Sequence, residues 1–234
     1  MIREKFYKIA YRSLNKRRLI FVALLLLFAT IGAIAIVNII AIERSYAVSR
    51  KEYEELRQYA PQITATDAPS RNAVPTAEST PDLAAINPDY IGWILIEGTN
   101  IDYPIVQGTD NIKYLTTTFS GERNPSGTIF MDSRCTDGFS GFVILHGHNM
   151  KDGSMFAGLH NYLKSDFLDE HTEIIIIIPD GTVLTYRIFD VKLTDVFDAA
   201  YTLFGNSDER ILVLSTCTDS GDNNARLLVL ATIE

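Results

Sequence analysis

Ile211-Leu212-Val213-Leu214 and Leu227-Leu228-Val229-Leu230 are two strand-length apolar runs, with Cys217 just beyond the first and Arg226 opening the second. Between them, Thr218-Asp219-Ser220-Gly221-Asp222-Asn223-Asn224 is a dense cluster of turn formers, so the pair predicts a β-hairpin. A hairpin sets the thiol and the guanidinium at adjoining strand ends, facing each other across one loop. Upstream, Phe142-Val143-Ile144-Leu145 is a third run of the same kind, and it delivers His146-Gly147-His148-Asn149 into another polar turn. That turn supplies an imidazole as a candidate base for the thiol.

Five more strand signals surround these three. The full set is Gly92–Ile96, Ile101–Val106, Thr128–Met131, Phe142–Leu145, Glu173–Ile178, Val183–Phe189, Ile211–Ser215 and Arg226–Ile233, separated by turns such as Glu97-Gly98-Thr99-Asn100 and Pro179-Asp180-Gly181. Helical pattern is confined to short pieces near Asn111–Leu115 and Phe156–Leu163. A mainly β domain with eight closely spaced strands implies a closed or nearly closed barrel, an arrangement that removes exposed strand edges.

The N-terminal third is organised differently. Leu19 to Ile42 is 24 residues without a charge, which as a helix extends about 36 Å against a hydrocarbon core of roughly 30 Å. Residues 1–18 hold seven basic side chains (Arg3, Lys5, Lys8, Arg12, Lys16, Arg17, Arg18) against Glu4, which predicts a cytoplasmic N-terminus and a single-pass anchor in the cell membrane. A cleaved signal peptide is the competing reading. Its apolar region is normally about 7 to 15 residues, shorter than the 24 uncharged residues here. Glu43 to Tyr59 reads as a helix continuing outward and ending near Pro61, and Pro61 to Pro81, rich in Ala, Thr, Ser, Pro and Asn, reads as a flexible stalk. The expected divisions are a basic tail at 1–18, a transmembrane helix at 19–42, a juxtamembrane helix and stalk at 43–82, and a barrel domain at 83–234, which holds the thiol, imidazole and guanidinium above.

The chain of 234 residues carries a net charge of −8, of which residues 1–18 contribute +6, leaving −14 for the rest. An exterior this acidic argues against nucleic acid as a partner, for which a basic footprint is needed.

Chemistry concentrates on Cys217, His148 and Arg226. A free thiol is mostly protonated at neutral pH, and a nearby imidazole raises its reactivity by generating or stabilising thiolate. Arg226 keeps its proton and cannot act as a base, but it can donate hydrogen bonds to an oxyanion forming on a carbonyl under attack. Together these roles describe acyl transfer through a thioester.

Each residue also has a plainer reading. Cys217 can be a buried thiol, or can pair with Cys135 in a disulfide that an extracytoplasmic site would permit; Cys135 itself follows a polar stretch and reads as incidental. His146 and His148 alternate at a strand end and can point the same way toward a metal, but lack a local third ligand. Arg226 can be a surface partner of Asp219 or Asp222, worth little if exposed. The same two acids would raise the cysteine pKa if they pointed inward. His160 and His171 lie in polar surroundings and read as solvated.

Leu214-Ser215-Thr216-Cys217, Gly147-His148-Asn149-Met150 and Ala225-Arg226 resemble the signature of sortases, the membrane-anchored cysteine transpeptidases of Gram-positive bacteria. Asn87-Pro88-Asp89-Tyr90-Ile91-Gly92-Trp93, Tyr103-Pro104-Ile105-Val106-Gln107, Asp110-Asn111-Ile112-Lys113-Tyr114-Leu115 and the run His148 to Phe156 look like class B in particular.

The resemblance implies a sortase-type β-barrel that binds a sorting signal near the C-terminus of a secreted surface protein. Cys217 would attack the threonine carbonyl, His148 would protonate the leaving amine, and Arg226 would hold the substrate carbonyl and its oxyanion. An acceptor amine, from a peptidoglycan precursor or a pilin lysine, would then resolve the thioester. Asn111 and Leu115 resemble positions lining the signal groove, and Ser215 and Thr216 would flank it beside the nucleophile. The chain departs from the class B pattern twice. The connection Asp195–Glu209 is short where class B members usually carry a long loop containing a helix, and His146 stands where an aromatic residue is expected. No metal and no cofactor are expected, since no compact carboxylate set resembles a calcium loop. Two other functions stay open at this point, a non-catalytic membrane-tethered binding barrel and a cysteine hydrolase without transfer.

Overall fold

In the computed structural model, which describes residues 2–61, 83–202 and 210–233 with side chains from Arg18 onward, eight strands close into a barrel. They are β1 (Tyr90–Leu95), β2 (Asp102–Val106), β3 (Ile129–Met131), β4 (Val143–His146), β5 (Glu173–Ile177), β6 (Val183–Asp195), β7 (Ile211–Cys217) and β8 (Ala225–Ile233). Around the barrel the order is β1-β2-β3-β4-β7-β8-β6-β5, with β5 returning to β1. The pairings are antiparallel except β2 with β3 and β4 with β7, which run parallel.

The C-terminal hairpin forms as expected. β7 and β8 pair in one unbroken register from Ile211 opposite Thr232 to Cys217 opposite Arg226. β4 lies on the other side of β7, with His146 opposite Ser215. Both β4 and β7 are buried on their two faces: Val143, Ile144, Leu145, Leu212, Val213 and Leu214 are all fully shielded. That double burial is why they read as continuous apolar runs and not as alternating ones. On one face Phe142, Ile144, Val213 and Leu228 form an apolar patch with Ala200, which belongs to a 3-10 turn at Ala199–Thr202. The patch therefore seats the segment that follows β6.

β6 is longer than the expected Val183–Phe189. A register shift between Ile188 and Asp190 marks a bulge, after which the strand continues along β8 until Thr194 meets Arg226 and Asp195 meets Ala225. Its second half alternates Val191 and Leu193 with Asp190, Lys192 and Thr194, so no apolar run announces it; the length of β8 sustains it. The expected helical pieces at Asn111–Leu115 and Phe156–Leu163 are 3-10 turns at Lys113–Leu115 and Phe156–Leu163. Two short helices, α2 (Leu83–Ile86) and α3 (Ser165–Glu170), are too brief to show a period in the sequence.

The chain separates into two compact units, Met1–Ala47 and Val48–Glu234. A single helix, α1 (Ile2–Arg57), runs through the first and into the second. Between Arg18 and Arg57 it is long and apolar enough to cross a membrane, with a mean hydropathy of 3.0 over its most apolar stretch. Its final turns belong with the barrel. Ser49, Tyr53 and Leu56 are spaced by four and three residues, share a helical face and are buried there. Residues 62–82, nearly all of the expected stalk, and residues 203–209 of the Asp195–Glu209 connection lie outside the described residues.

Gly147 joins β4 to His148. Its amide continues the ladder by donating to the Ser215 carbonyl at 3.2 Å, and a Cβ there would come within 2.6 Å of the Phe156 ring and of Ile129 Cδ1. Gly147→Ala is expected to lower stability by about 1–3 kcal/mol through overpacking, measured as a fall in the thermal unfolding midpoint of the full chain.

Candidate active site

The barrel's pairings bring the chemistry together. Cys217 ends β7 and is the Cα partner of Arg226 on β8, so two side chains nine residues apart face each other across adjacent strands. Because β4 runs parallel to β7 with His146 opposite Ser215, the chain two residues further on carries His148 level with Cys217. All seven residues singled out from the sequence, Asn111, Leu115, His148, Ser215, Thr216, Cys217 and Arg226, line one groove of about 510 Å³.

Each is held by an identifiable contact. His148 Nε2 lies 2.8 Å from the Leu115 carbonyl oxygen, and since a carbonyl can only accept, this nitrogen carries a hydrogen. Among the described residues the imidazole makes no hydrogen bond to Cys217, whose thiol is partly exposed to the groove. Arg226 donates through Nη1 to the carbonyls of Asn223 at 2.7 Å and Ala225 at 2.9 Å. Its Nε and Nη2 have no partner among the described residues. Ser215 Oγ shares a 2.6 Å hydrogen bond with the Tyr201 hydroxyl. Asn111 Oδ1 accepts from the Ser133 amide at 2.7 Å and so braces the loop after β3. Thr216 Oγ1 is buried and has no partner among the described residues.

The acids flanking the hairpin are held by other partners. Asn149 Nδ2 donates to Asp219 Oδ1 at 2.8 Å, tying the loop after β4 to the loop after β7, and Asp222 Oδ1 accepts from the Asn224 amide at 2.8 Å. Arg226 forms no ion pair with either acid among the described residues. Both cysteines are free thiols, so there is no Cys135–Cys217 disulfide. Cys135 is sealed at 4% exposure, and burial pushes its thiol up to about 11, which keeps it protonated and inert.

His146 has a structural partner. Its Nε2 lies 3.0 Å from Asp132 Oδ2, and its ring stacks parallel to that of Tyr201 with centroids 6.4 Å apart. Asp132 is 1% exposed, and Arg134 grips both of its carboxylate oxygens at 2.9 Å while also donating to the Tyr201 carbonyl at 3.1 Å. Burial alone would raise the Asp132 pKa, but Arg134 and His146 outweigh it and hold the carboxyl well below the usual range. His146 and His148, weighed above as a possible metal pair, have their Nε2 atoms on a carboxylate and a carbonyl, and among the described residues no cluster of three or more ligating side chains exists. His160 is not solvated as its neighbours in sequence led one to expect. Its ring nitrogens are buried in the 3-10 turn Phe156–Leu163 without a partner among the described residues.

Sequence reasoning missed Asp132, Arg134, Tyr201 and Phe197, all of which line the groove. Asp132-Ser133-Arg134 reads as an ordinary polar stretch, and nothing local betrays that its first residue is buried. Phe197 and Tyr201 did leave a trace, as aromatic residues within the short connection 195–209. Phe197 is 82% exposed where it lines the groove.

Asp132 yields a pH prediction. Its folded-state pKa lies below the unfolded value of about 3.9, so the stability it contributes is present above that pH and drains away as pH falls through and below it. Asp132→Asn is expected to cost about 1–3 kcal/mol at pH 7, with the gap to the wild type narrowing below about pH 4, measured by denaturant unfolding across pH.

Comparison with known proteins agrees with this geometry. A sortase-domain family model matches residues 94–234. Sortase B of Staphylococcus aureus is 30% identical over 240 residues, spanning 88% of this chain and 96% of that protein. Sortase B of Listeria monocytogenes is 35% identical over 176 residues, spanning 64% of this chain and 71% of that protein. Among solved structures, a Staphylococcus aureus sortase B–substrate complex matches with a TM-score of 0.63 at 28% identity, covering 82% of this chain and 98% of that one. With a closed eight-stranded barrel, a cysteine and an arginine paired across its C-terminal hairpin, and relatives of this extent, the chain belongs to the sortase family, on its class B branch, and is a cysteine transpeptidase.

Proposed function

We propose that Cys217, His148 and Arg226 are the catalytic residues of a membrane-anchored sortase that cleaves sorting signals of secreted surface proteins after threonine. The observation that carries this is the pairing of Cys217 with Arg226 across β7 and β8, with His148 in the same groove.

The Cys217 sulfur attacks the threonine carbonyl carbon, and the carbonyl oxygen becomes an oxyanion. Arg226 has Nε and Nη2 uncommitted among the described residues, while Nη1 is pinned to the backbone of its own turn; that leaves donors for the oxyanion without letting the side chain swing away. As the carbon–nitrogen bond breaks, His148 gives a proton to the departing amine, leaving an acyl thioester on the sulfur. An acceptor amine then attacks the thioester carbonyl and gives its proton back to His148, and the new amide forms as the carbon–sulfur bond breaks and the Cys217 thiolate leaves. In this reading the acceptor is a peptidoglycan precursor or a pilin lysine.

Asn111, Leu115, Ser215 and Thr216 line the groove that takes the signal. The buried, unpartnered Thr216 hydroxyl beside the nucleophile supports a substrate contact there, because an orphaned buried hydroxyl is costly unless something fills its need. Residues 19–42 would span the cell membrane with residues 1–18 cytoplasmic, placing the barrel of 83–234 on the outer side, where sorting signals and acceptors meet.

The full chain in detergent micelles, offered a pentapeptide library with threonine fixed ahead of the scissile bond, is expected to gain the mass of an acyl group. Cys217→Ala should abolish that gain and lower turnover by more than about a thousandfold while the fold persists. Added amine should divert the product from free acid to amide. Continued cleavage by the alanine variant would refute the assignment, and free acid as the sole product in excess amine would reassign the chain as a hydrolase.

A further inference from the structure

His148 is fixed by more than its own strand. Its Nε2 hydrogen rests on the Leu115 carbonyl at 2.8 Å, and Leu115 closes a single 3-10 turn, which is too short to hold itself rigid. What holds that turn is the backbone crossing beneath it at the start of β3. The Thr128 amide donates to the Tyr114 carbonyl at 3.0 Å. Gly127, at a φ of +58°, lies so close that a Cβ on it would fall onto the Tyr114 carbonyl oxygen and come within 2.9 Å of that of Leu115. Only glycine permits both that conformation and that approach.

Gly127 and Thr128 are gripped from outside the barrel. The Tyr53 hydroxyl donates to the Gly127 carbonyl at 2.6 Å and lies 3.2 Å from Thr128 Oγ1, which in turn donates to the Thr117 carbonyl at 2.8 Å. Tyr53 sits in the last turns of α1, is 3% exposed, and stands edge-on to Tyr103 with ring centroids 5.2 Å apart. Burial keeps its phenol protonated and therefore always a donor. Thr128 itself lines the groove.

We infer that Tyr53 is a positioning residue for His148, acting through Gly127, Thr128 and the Leu115 carbonyl, so that the end of α1 is part of the support of the active site and not only a staple on the barrel. This rests on the reading of His148 as the acid. Removing the hydroxyl leaves the buried Gly127 carbonyl without its donor, and the peptide must shift to find another. Because Gly127 is in contact with Leu115, the shift reaches the atom that aims the imidazole. Proton transfer tolerates little misplacement of this kind.

Tyr53→Phe keeps the ring and removes only the hydroxyl. In the full chain in micelles, its turnover number on the peptide library is expected to fall at least fivefold with KM changed less than twofold, its pH–rate profile to shift, and the His148 ring carbon resonance to move. Glu52→Gln is the control. Glu52 lies on the same helix and accepts from the Ser120 amide at 2.9 Å, off the path to His148, so it should lower the unfolding midpoint without altering turnover per folded molecule. A Tyr53→Phe chain that is folded but turns over within twofold of wild type, or whose His148 resonance is unmoved, overturns the inference. Should that variant not fold, Thr128→Val, which removes the hydroxyl between Tyr53 and Thr117, carries the same expectations and the same refutation. If the wild type is never acylated, the reading of the site has failed, and the His148 resonance alone decides the positioning claim.

Discussion

The pairing of β7 with both of its neighbours is the constraint on which the rest depends. One partner, β8, is antiparallel and brings Arg226 opposite Cys217; the other, β4, is parallel and brings the chain leading to His148 alongside. A one-residue slip in either ladder would turn every side chain of the displaced strand to the opposite face. The register is secured by burial on both faces of β4 and β7, since a one-residue slip would push polar Ser215 into the position now filled by Leu214. The meeting of Cys217, Arg226 and the chain leading to His148 is thus a by-product of strand registration.

The groove shows how a small domain keeps charges in place at low cost. Asp132 is buried, but its oxygens are taken by Arg134 and His146. Asp198 is satisfied by Lys192 at 2.8 Å and Thr194 at 2.7 Å, and the Lys192 ammonium holds its carboxyl down to about 2. With these acids internally balanced, the Nε and Nη2 of Arg226 are left without a partner among the described residues. The same two clusters tie down the segment after β6, because Asp198 also accepts from the Ala200 amide and Arg134 holds the Tyr201 carbonyl.

Much of this was legible in the residues. The strands buried on both faces announce themselves as unbroken apolar runs, and the turn formers between β7 and β8 fix the hairpin. Cys217, His148 and Arg226 stood out because each closes or opens such a run. The second half of β6 was not legible, because its pairing is imposed by β8 against a sequence of alternating charge. Asp132 was not legible either, because burial of an acid is decided by where Arg134 and His146 arrive in three dimensions. The attachment of α1 was hidden for a similar reason. Ser49, Tyr53 and Leu56 form a stripe too short and too polar to be told from a solvated helix, and the carbonyl that Tyr53 needs lies far away in the chain, at Gly127.

The two thiols differ in a way that makes the molecule its own gauge. Cys135 is sealed and protonated, whereas Cys217 opens onto the groove. A soft electrophile offered to the native chain therefore meets one reactive sulfur, and offered to the denatured chain it meets two. The stoichiometry of alkylation counts intact molecules directly, and a covalent inhibitor aimed at this groove has no second cysteine to consume it until the barrel has already come apart.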